Sequence, residues 1–442
     1  MSITAQTALA LVRALIIAAV AVAASGPLLG AVNGQRGRAR ALAWALLLAP
    51  FLTPPLLISY AYSRLALALM ASPWTHEMLY VSVLLLKLMP LAVIVRHLIT
   101  FPLSAKARHC HRLFAAPAIF ASVLFRMRGA GPAPWIAGAL VFLFAFADFE
   151  LASLWSMKTW TVAIFDAQTG GLALRETLRL VAFPGAIQIA VVALLVIRSP
   201  QSTRSVADDT PKGSRAGFVY LALAACFVCL LPLLLVTTQA AKGIRTIVEN
   251  FVLGREIIAS LLFAFGAATL AVILARRIGR WRILCAVGLL GALVISLVIL
   301  AVFQLSALRV AYDTPLPLLL ALSVVLLPAA GLLAHLLACQ ENSAARHIAR
   351  QIASPRLAWE LDVQPRLAAF GVLFFVGYSD FTASSILAPI RLTPAFVRLH
   401  NLAHYGQTAV LSAMLLVAVA TPVLLLLLTA AAGRLYARRH GR

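Results

Sequence analysis

The sequence predicts an all-α, polytopic membrane protein of about eleven transmembrane helices, and three observations predict it. Only 12% of the 442 residues are charged and 62% are hydrophobic, with a mean hydropathy of +0.97. A soluble chain carries roughly twice that charged fraction. Apolar runs of about 20 residues, each long enough to cross the hydrocarbon layer as a helix, recur along the whole length. Nothing alternates with the period of a barrel strand, so helices are the remaining way for a backbone in lipid to satisfy its own hydrogen bonds.

The spans read from the sequence lie near 8–30, 41–62, 78–98, 133–156, 177–197, 217–237, 256–275, 283–304, 316–338, 367–388 and 407–430. Their orientation follows from the basic residues. Of the 37 Lys and Arg, 25 fall in one alternate set of connections, with clusters at Arg36–Arg40, Arg96–Arg128, Arg198–Arg215, Arg276–Arg282, Arg346–Arg366 and Arg434–Arg442. The other set holds 10, and Arg13 and Lys87 sit inside spans. Cytoplasmic loops are the Lys- and Arg-rich ones. The C-terminus is therefore expected inside and the N-terminus outside. The net charge of +23 is thus a topology signal and gives no reason to expect nucleic acid as a partner.

The first run, "MSITAQTALALVRALIIAAVAVAASG", ends in small residues as a signal peptide does, but Arg13 stands within it and not before it. It is read as a retained first span. Of the five cysteines, the pair in "CFVC" (226–229) has redox spacing inside an apolar helix, where a thiolate is poorly solvated. Those cysteines are read as packing residues. "RHCHR" (108–112) and the i,i+4 pair His400 and His404 have metal-capable spacing, but neither forms a full ligand set and no metal is assigned.

Internal similarity divides the chain. At a constant offset of 232, "FADFELASLWSMKTWTVAIFD" (146–166) falls on "YSDFTASSILAPIRLTPAFVR" (378–398), placing Asp148-Phe149 on Asp380-Phe381, Ser153 on Ser385, Thr161 on Thr393 and Ala163 on Ala395. "GRARAL" (37–42) matches "GRWRIL" (279–284) at an offset of 242. Two tandem copies of one helical unit follow: residues 1–200 with five spans and residues 201–442 with six, joined by the polar linker "RSPQSTRSVADDTPKGSR" (198–215). The first copy is expected to lack the opening helix of the second.

On these residues the chain resembles the permease subunits of binding-protein-dependent ABC importers, in the fused two-copy form associated with ferric iron and thiamine uptake. The likeness extends over "LLLAPFLTPPLLISYAY" (46–62), "IVENFVLGREIIASLLFAFGAATLAVILA" (247–275), "SDFTASSILAP" (379–389) and "TPAFVRLHNLAHYG" (393–406). The resemblance implies a bacterial inner-membrane location, two ATPase copies and an extracytoplasmic binding protein as partners, and a small solute such as ferric iron, thiamine or a polyamine. It implies no cofactor on this chain, with ATP and Mg held by the partner ATPase. No Walker-type "GxxxxGK[ST]" is present, in keeping with a transport subunit that is not itself an enzyme, and there is no HExxH or GxSxG.

Such permeases dock a short cytoplasmic element on the ATPase, with a pattern of Glu-Ala-Ala, then Gly, then Pro. The resemblance assigns that role to Ala115, Ala116, Ala121 and Ser122 in the first copy, with Pro132 or Pro134 closing it. In the second it assigns Arg346, Ala349, Ile352, Ala353, Ser354, Pro355 and Pro365. Phe114 and Arg346 stand where the pattern has Glu, and Phe120 and Ile352 where it has Gly. The first change removes a charge-assisted contact and the second alters a tight turn.

The acids within spans are the other feature. A carboxylate at mid-membrane costs about 2.5–3.5 kcal/mol on insertion scales, so it faces a cavity, finds a partner or caps a helix end. Asp148, Glu150, Tyr378, Ser379, Asp380 and Ser384 are therefore candidates for a translocation path, with helix capping as the alternative for the two aspartates. Lys87 is expected to snorkel. An ion-coupled secondary transporter using Asp148 and Asp380 and a non-transporting permease homologue are the competing functional classes.

Overall fold

The computed structural model describes residues 2–99, 131–198, 215–250, 253–278, 286–340, 357, 359–403 and 408–439. Every regular element among them is helical. In chain order they are α1 (Ile3–Asn33), α2 (Gly37–Leu52), α3 (Pro55–Leu69), α4 (Pro73–Leu98), α5 (Ala133–Phe146), α6 (Glu150–Leu154), α7 (Trp160–Thr169) and α8 (Leu174–Arg198). They continue with α9 (Arg215–Ala225), α10 (Leu231–Asn250), α11 (Gly254–Ile278), α12 (Ala292–Phe303), α13 (Leu316–Gln340), α14 (Gln364–Ser379), α15 (Thr382–Leu387), α16 (Ala395–Ala403) and α17 (Ala409–Arg439). Among the described residues eight helical runs are long and apolar enough to cross a membrane, with α5–α6 and the run from α9 into α10 each counted as one, or nine if the bent pair α2–α3 is one span. The chain is a multi-pass membrane protein.

Two spans expected from the sequence fall short of that length for physical reasons. Among its described residues, the run near 283–304 is helical at 286–287, is interrupted by a 3₁₀ turn at Gly288–Leu290 and a left-handed Gly291 at φ 84°, and resumes as α12 at Ala292. The run near 367–388 is cut at Asp380 into α14 and the short α15. The bend of 73° between α2 and α3 has a simple cause. Pro54 and Pro55 remove two amide donors, and the residue before a proline is driven out of the α region, as Thr53 is at ψ 123°.

Contacts divide the chain into two compact units, Met1–Asp166 with Ala182–Leu234, and Ala167–Val181 with Leu235–Arg442. In the first unit α1, α4 and α5 pack against one another, α3 lies on α6, and α9 lies on α1 and α2. The inward face of α1 carries Ala10, Ala14, Ile17, Ala18, Ala21 and Ser25, all buried. Small side chains at helical spacing let backbones approach closely, which is how helices associate when lipid offers no hydrophobic driving force. Between α9 and α10 the helix widens into a π turn over Cys226–Leu230. Such a turn loosens the backbone ladder, and the Tyr62 hydroxyl donates to the Phe227 carbonyl at 2.6 Å with the two rings stacked. The "CFVC" cysteines are thus part of a backbone irregularity, and Cys226 lies on its exposed side.

In the second unit α11, α13 and α14 form the corresponding trio, with α12 on α13 and α15, and α17 on α14 and α16. The α11 face repeats the small-residue ladder with Ser260, Ala264, Ala267, Ala268, Ala271 and Ala275. Two glycines are required by backbone approach. A Cβ at Gly243 of α10 would stand 2.2 Å from the Ala409 carbonyl oxygen, and one at Gly288 would stand 2.2 Å from that of Val324. Neither oxygen belongs to a flexible side chain, so either Gly→Ala change must shift a helix. Overpacking of this kind costs about 1–3 kcal/mol. Gly243→Ala and Gly288→Ala are each expected to lower the thermal midpoint of the purified chain in detergent by several degrees, whereas Gly37→Ala, with open space around it, is expected to act only through its positive φ.

Candidate functional site: capped helix breaks and an ionic stripe

Each unit contains one helix interrupted at an Asp-Phe pair. In the first, α5 ends at Phe146, the chain turns through Ala147, Asp148 and Phe149, and α6 starts at Glu150. The Asp148 carboxylate accepts from the Ala152 amide at 3.2 Å. In the second, α14 ends at Ser379 and α15 starts at Thr382, and the Asp380 carboxylate accepts from the amides of Ala383 at 2.9 Å and Ser384 at 3.2 Å. Ala152 and Ser384 are themselves related by the offset of 232 that relates the aspartates. A new helix start leaves amides without intrahelical partners, and a carboxylate there satisfies them and meets the positive end of the helix dipole. The phenylalanine that follows each aspartate is 2% exposed: Phe149 packs on Phe165 at 4.6 Å between centroids, and Phe381 stacks on His400 at 4.0 Å. Capping, the alternative to a path-lining role, is what both aspartates do in this structure.

The first unit surrounds its breaks with ionic groups carried by α4. Glu77, Tyr80 and Lys87 are spaced by three and seven residues and so share one helix face. Glu77 pairs with Arg13 of α1 through both carboxylate oxygens, with Nε donating to Oε2 at 2.8 Å. Arg13 also donates from Nη1 to the Lys158 carbonyl at 3.0 Å and lies 5.7 Å from the Tyr80 ring centroid. The Tyr80 hydroxyl donates to Asp148 at 2.9 Å. Lys87 donates to the carbonyls of Phe51, at 3.2 Å, and Thr53. Lys87 therefore does not snorkel: its ammonium is drawn to the carbonyls that the α2–α3 bend strips of helical partners.

Further donors complete the breaks. Trp160 Nε1 donates to the Phe146 carbonyl at 2.9 Å and Thr161 Oγ1 to the Asp148 carbonyl at 2.7 Å, while Trp155 Nε1, at the end of α6, donates to the Ser59 carbonyl inside α3 at 3.1 Å. In the second unit the helix matching α4 in packing, α13, has no charged residue at all. There the segment beyond the break is held from α11 instead. Arg255 donates to the Arg391 carbonyl, Ser260 Oγ accepts from the Ala395 amide at 2.8 Å, and Glu256 pairs with Arg398 at 2.7 Å. Arg13 and Arg255 thus do the same thing in their own units, each reaching from the first packed helix to a carbonyl beyond the short helix.

The remaining candidates take these places. Glu150 opens α6 and is half-buried. Tyr378 is buried edge-on to Phe396 at 5.7 Å, and its hydroxyl has no protein partner among the described residues. Ser379 Oγ donates back to the Val376 carbonyl at 3.2 Å, and Ser384 is buried beside Asp380. Tyr378, Ser379, Asp380 and Ser384 are therefore brought together at one break, and Asp148 and Glu150 at the other. His400 is buried in α16. His404 lies outside the described residues, and no group of three metal-ligating side chains occurs among those described.

Of the loop residues assigned to ATPase docking, Ala115, Ala116, Ala121, Ser122, Arg346, Ala349, Ile352, Ala353, Ser354 and Pro355 lie outside the described residues. Pro365 is the second residue of α14, where its missing amide is harmless. Glu77 and Tyr80 were not anticipated from the sequence. The available signal was a pair of opposite lone charges, Arg13 and Glu77, near the starts of two spans that run the same way. Comparison with family models, curated proteins and solved structures gives no match.

Two predictions follow from the geometry. Glu77→Gln leaves the Arg13 guanidinium without its countercharge. Breaking a buried pair this way costs about 3–5 kcal/mol, and the partial exposure of Glu77 reduces the expectation to about 2 kcal/mol. Thermal unfolding in lipid nanodiscs should show Arg13→Met combined with Glu77→Met losing less than the sum of the single changes. At the second break, Asp380→Asn should cost only a few tenths of a kcal/mol because Asn also caps, whereas Asp380→Ala should cost about 1–2 kcal/mol. Equal losses for Asn and Ala would show that capping is not what the carboxylate supplies.

Proposed function

We propose that the chain is the membrane-spanning permease subunit of an ATP-driven importer, built as two tandem copies of one transmembrane unit. The observation that carries this reading is the equivalence of the two breaks. Each unit has a packed trio of long helices, an Asp-capped interruption in the third, a short helix beyond it, and an arginine of the first helix bonded to a carbonyl past that short helix. The sequence resemblance to fused importer permeases supplies the chemistry. Two units of one design suit a transporter built from repeated transmembrane halves.

On this reading about eleven crossings arise from the eight long helical runs, the bent pair α2–α3, and the two interrupted runs holding α12 and α14–α15. The location is the bacterial inner membrane with the C-terminus in the cytoplasm. ATP and Mg belong to a pair of partner ATPase subunits docked at the loops containing Ala115–Ser122 and Arg346–Pro355, and an extracytoplasmic binding protein delivers a small solute such as ferric iron, thiamine or a polyamine. The secondary-transport alternative fits less well, because Asp148 and Asp380 would have to leave their capped amides to bind and release an ion.

The test is affinity purification of the tagged chain from its native membrane in mild detergent, with co-purifying proteins identified and ATP hydrolysis assayed. An ATPase that comes down with the chain, and is lost when Ser354 and Pro355 are both changed to Asp, is the expected result. A chain that purifies with no ATPase overturns the importer reading, and the Phe114, Arg346, Phe120 and Ile352 departures would then mark a permease homologue that no longer couples.

A further inference from the structure

Among the described residues of the second unit, the connection from α12 to α13, residues 304–315, and the turn before α16 carry the two most exposed aliphatic side chains. Val310 is 94% exposed and Ile390 is 86% exposed, with Leu305 at 60%. The two segments are joined, since the Ile390 amide donates to the Asp313 carboxylate at 3.3 Å. Exposure this complete at aliphatic residues of two joined segments calls for something that covers them.

Two observations select the occupant. The patch adjoins the exposed apolar side chains of the flanking helices, Val298 and Val302 of α12 and Leu316 of α13, which in a membrane-spanning chain are positions that meet hydrocarbon. Its exposed polar side chains, Gln304, Ser306, Arg309, Tyr312, Asp313 and Arg391, include two arginines and a tyrosine, the residue types that bridge hydrocarbon and phosphate at a membrane surface.

We propose that residues 304–314 and Ile390 form a lipid-interface anchor of the second unit, with Val310 and Ile390 set into the hydrocarbon edge of the leaflet at the end away from the arginine-rich loops. The occupant is membrane lipid, neither a soluble protein nor a second copy of the chain.

The test uses the full chain in lipid nanodiscs, with its five native cysteines replaced by alanine and Val310→Cys or Ile390→Cys carrying a nitroxide. Collision with dissolved oxygen, which concentrates in hydrocarbon, is expected to exceed collision with a water-soluble nickel chelate at both positions, as at a Val298→Cys control on the lipid-facing flank of α12. Chelate collisions in excess would place the patch in water and overturn the proposal, and so would a label reached by neither reagent, which would indicate a protein contact. A second measurement leaves the native cysteines in place. A photo-reactive amino acid at position 310 is expected to yield a lipid adduct by mass spectrometry, and a protein adduct or none would be equally decisive against it.

Discussion

A backbone group without a partner is hardly tolerable in hydrocarbon, and the arrangement of polar side chains in this protein is governed by that constraint. Helices interrupted inside the membrane expose amides on one side of the break and carbonyls on the other. Side chains answer them: the carboxylates of Asp148 and Asp380 take amides at both breaks, and Lys87, Trp160 and Thr161 donate to carbonyls in the first unit. Leaving one such group unpaired costs several kcal/mol in lipid. Rare polar residues in a chain only 12% charged are therefore found where the helices stop, and the breaks persist because those residues are there.

The two units meet the constraint differently. In the first, α4 is a spine whose single polar face holds α1 through Glu77, the α5–α6 break through Tyr80 and the α2–α3 bend through Lys87. The second unit has no such spine, since α13 is uncharged, and its holding contacts lie at the start of α11, where Arg255, Glu256 and Ser260 grip the segment 391–398. A stripe of ions linking three elements couples any displacement of one to the others. A grip at one helix end leaves the rest of the unit free to slide on small-residue faces.

Much of this was readable before any coordinates. Class and membrane character follow from composition and run length, because lipid leaves a backbone few options. The offset of 232 marks both Asp-Phe pairs and makes capping one of two readings of their aspartates, but the spans read from hydropathy run straight through them. What the sequence concealed depends on pairing across space. Lys87 reads as a lone ammonium able to reach the surface, and only the 73° bend of α2–α3 explains why it turns inward. Glu77 and Tyr80 look like ordinary members of a span start until Arg13 is placed opposite them. The span count differs for a local reason: hydropathy does not register the left-handed Gly291 or the extended Asp380, which shorten two runs below crossing length.

The arginine clamps carry the argument furthest. Arg13 and Arg255 stand in different surroundings, one bound bidentately to a carboxylate and the other not, yet each bonds a backbone carbonyl just past the short helix of its own unit. Arginine suits this position because its charge is permanent and its planar fork can bond a carbonyl and a second partner at once. The contact does not depend on which residue supplies the carbonyl, Lys158 in one unit and Arg391 in the other, so it survives divergence of side chains that would erase a paired interaction. That is why the two units can share so little sequence outside the Asp-Phe segments and still hold the interrupted helix in the same way. The feature retained is a geometric relation between a break and a clamp, and the side chains around it are free to become an ionic spine in one unit and an apolar helix in the other.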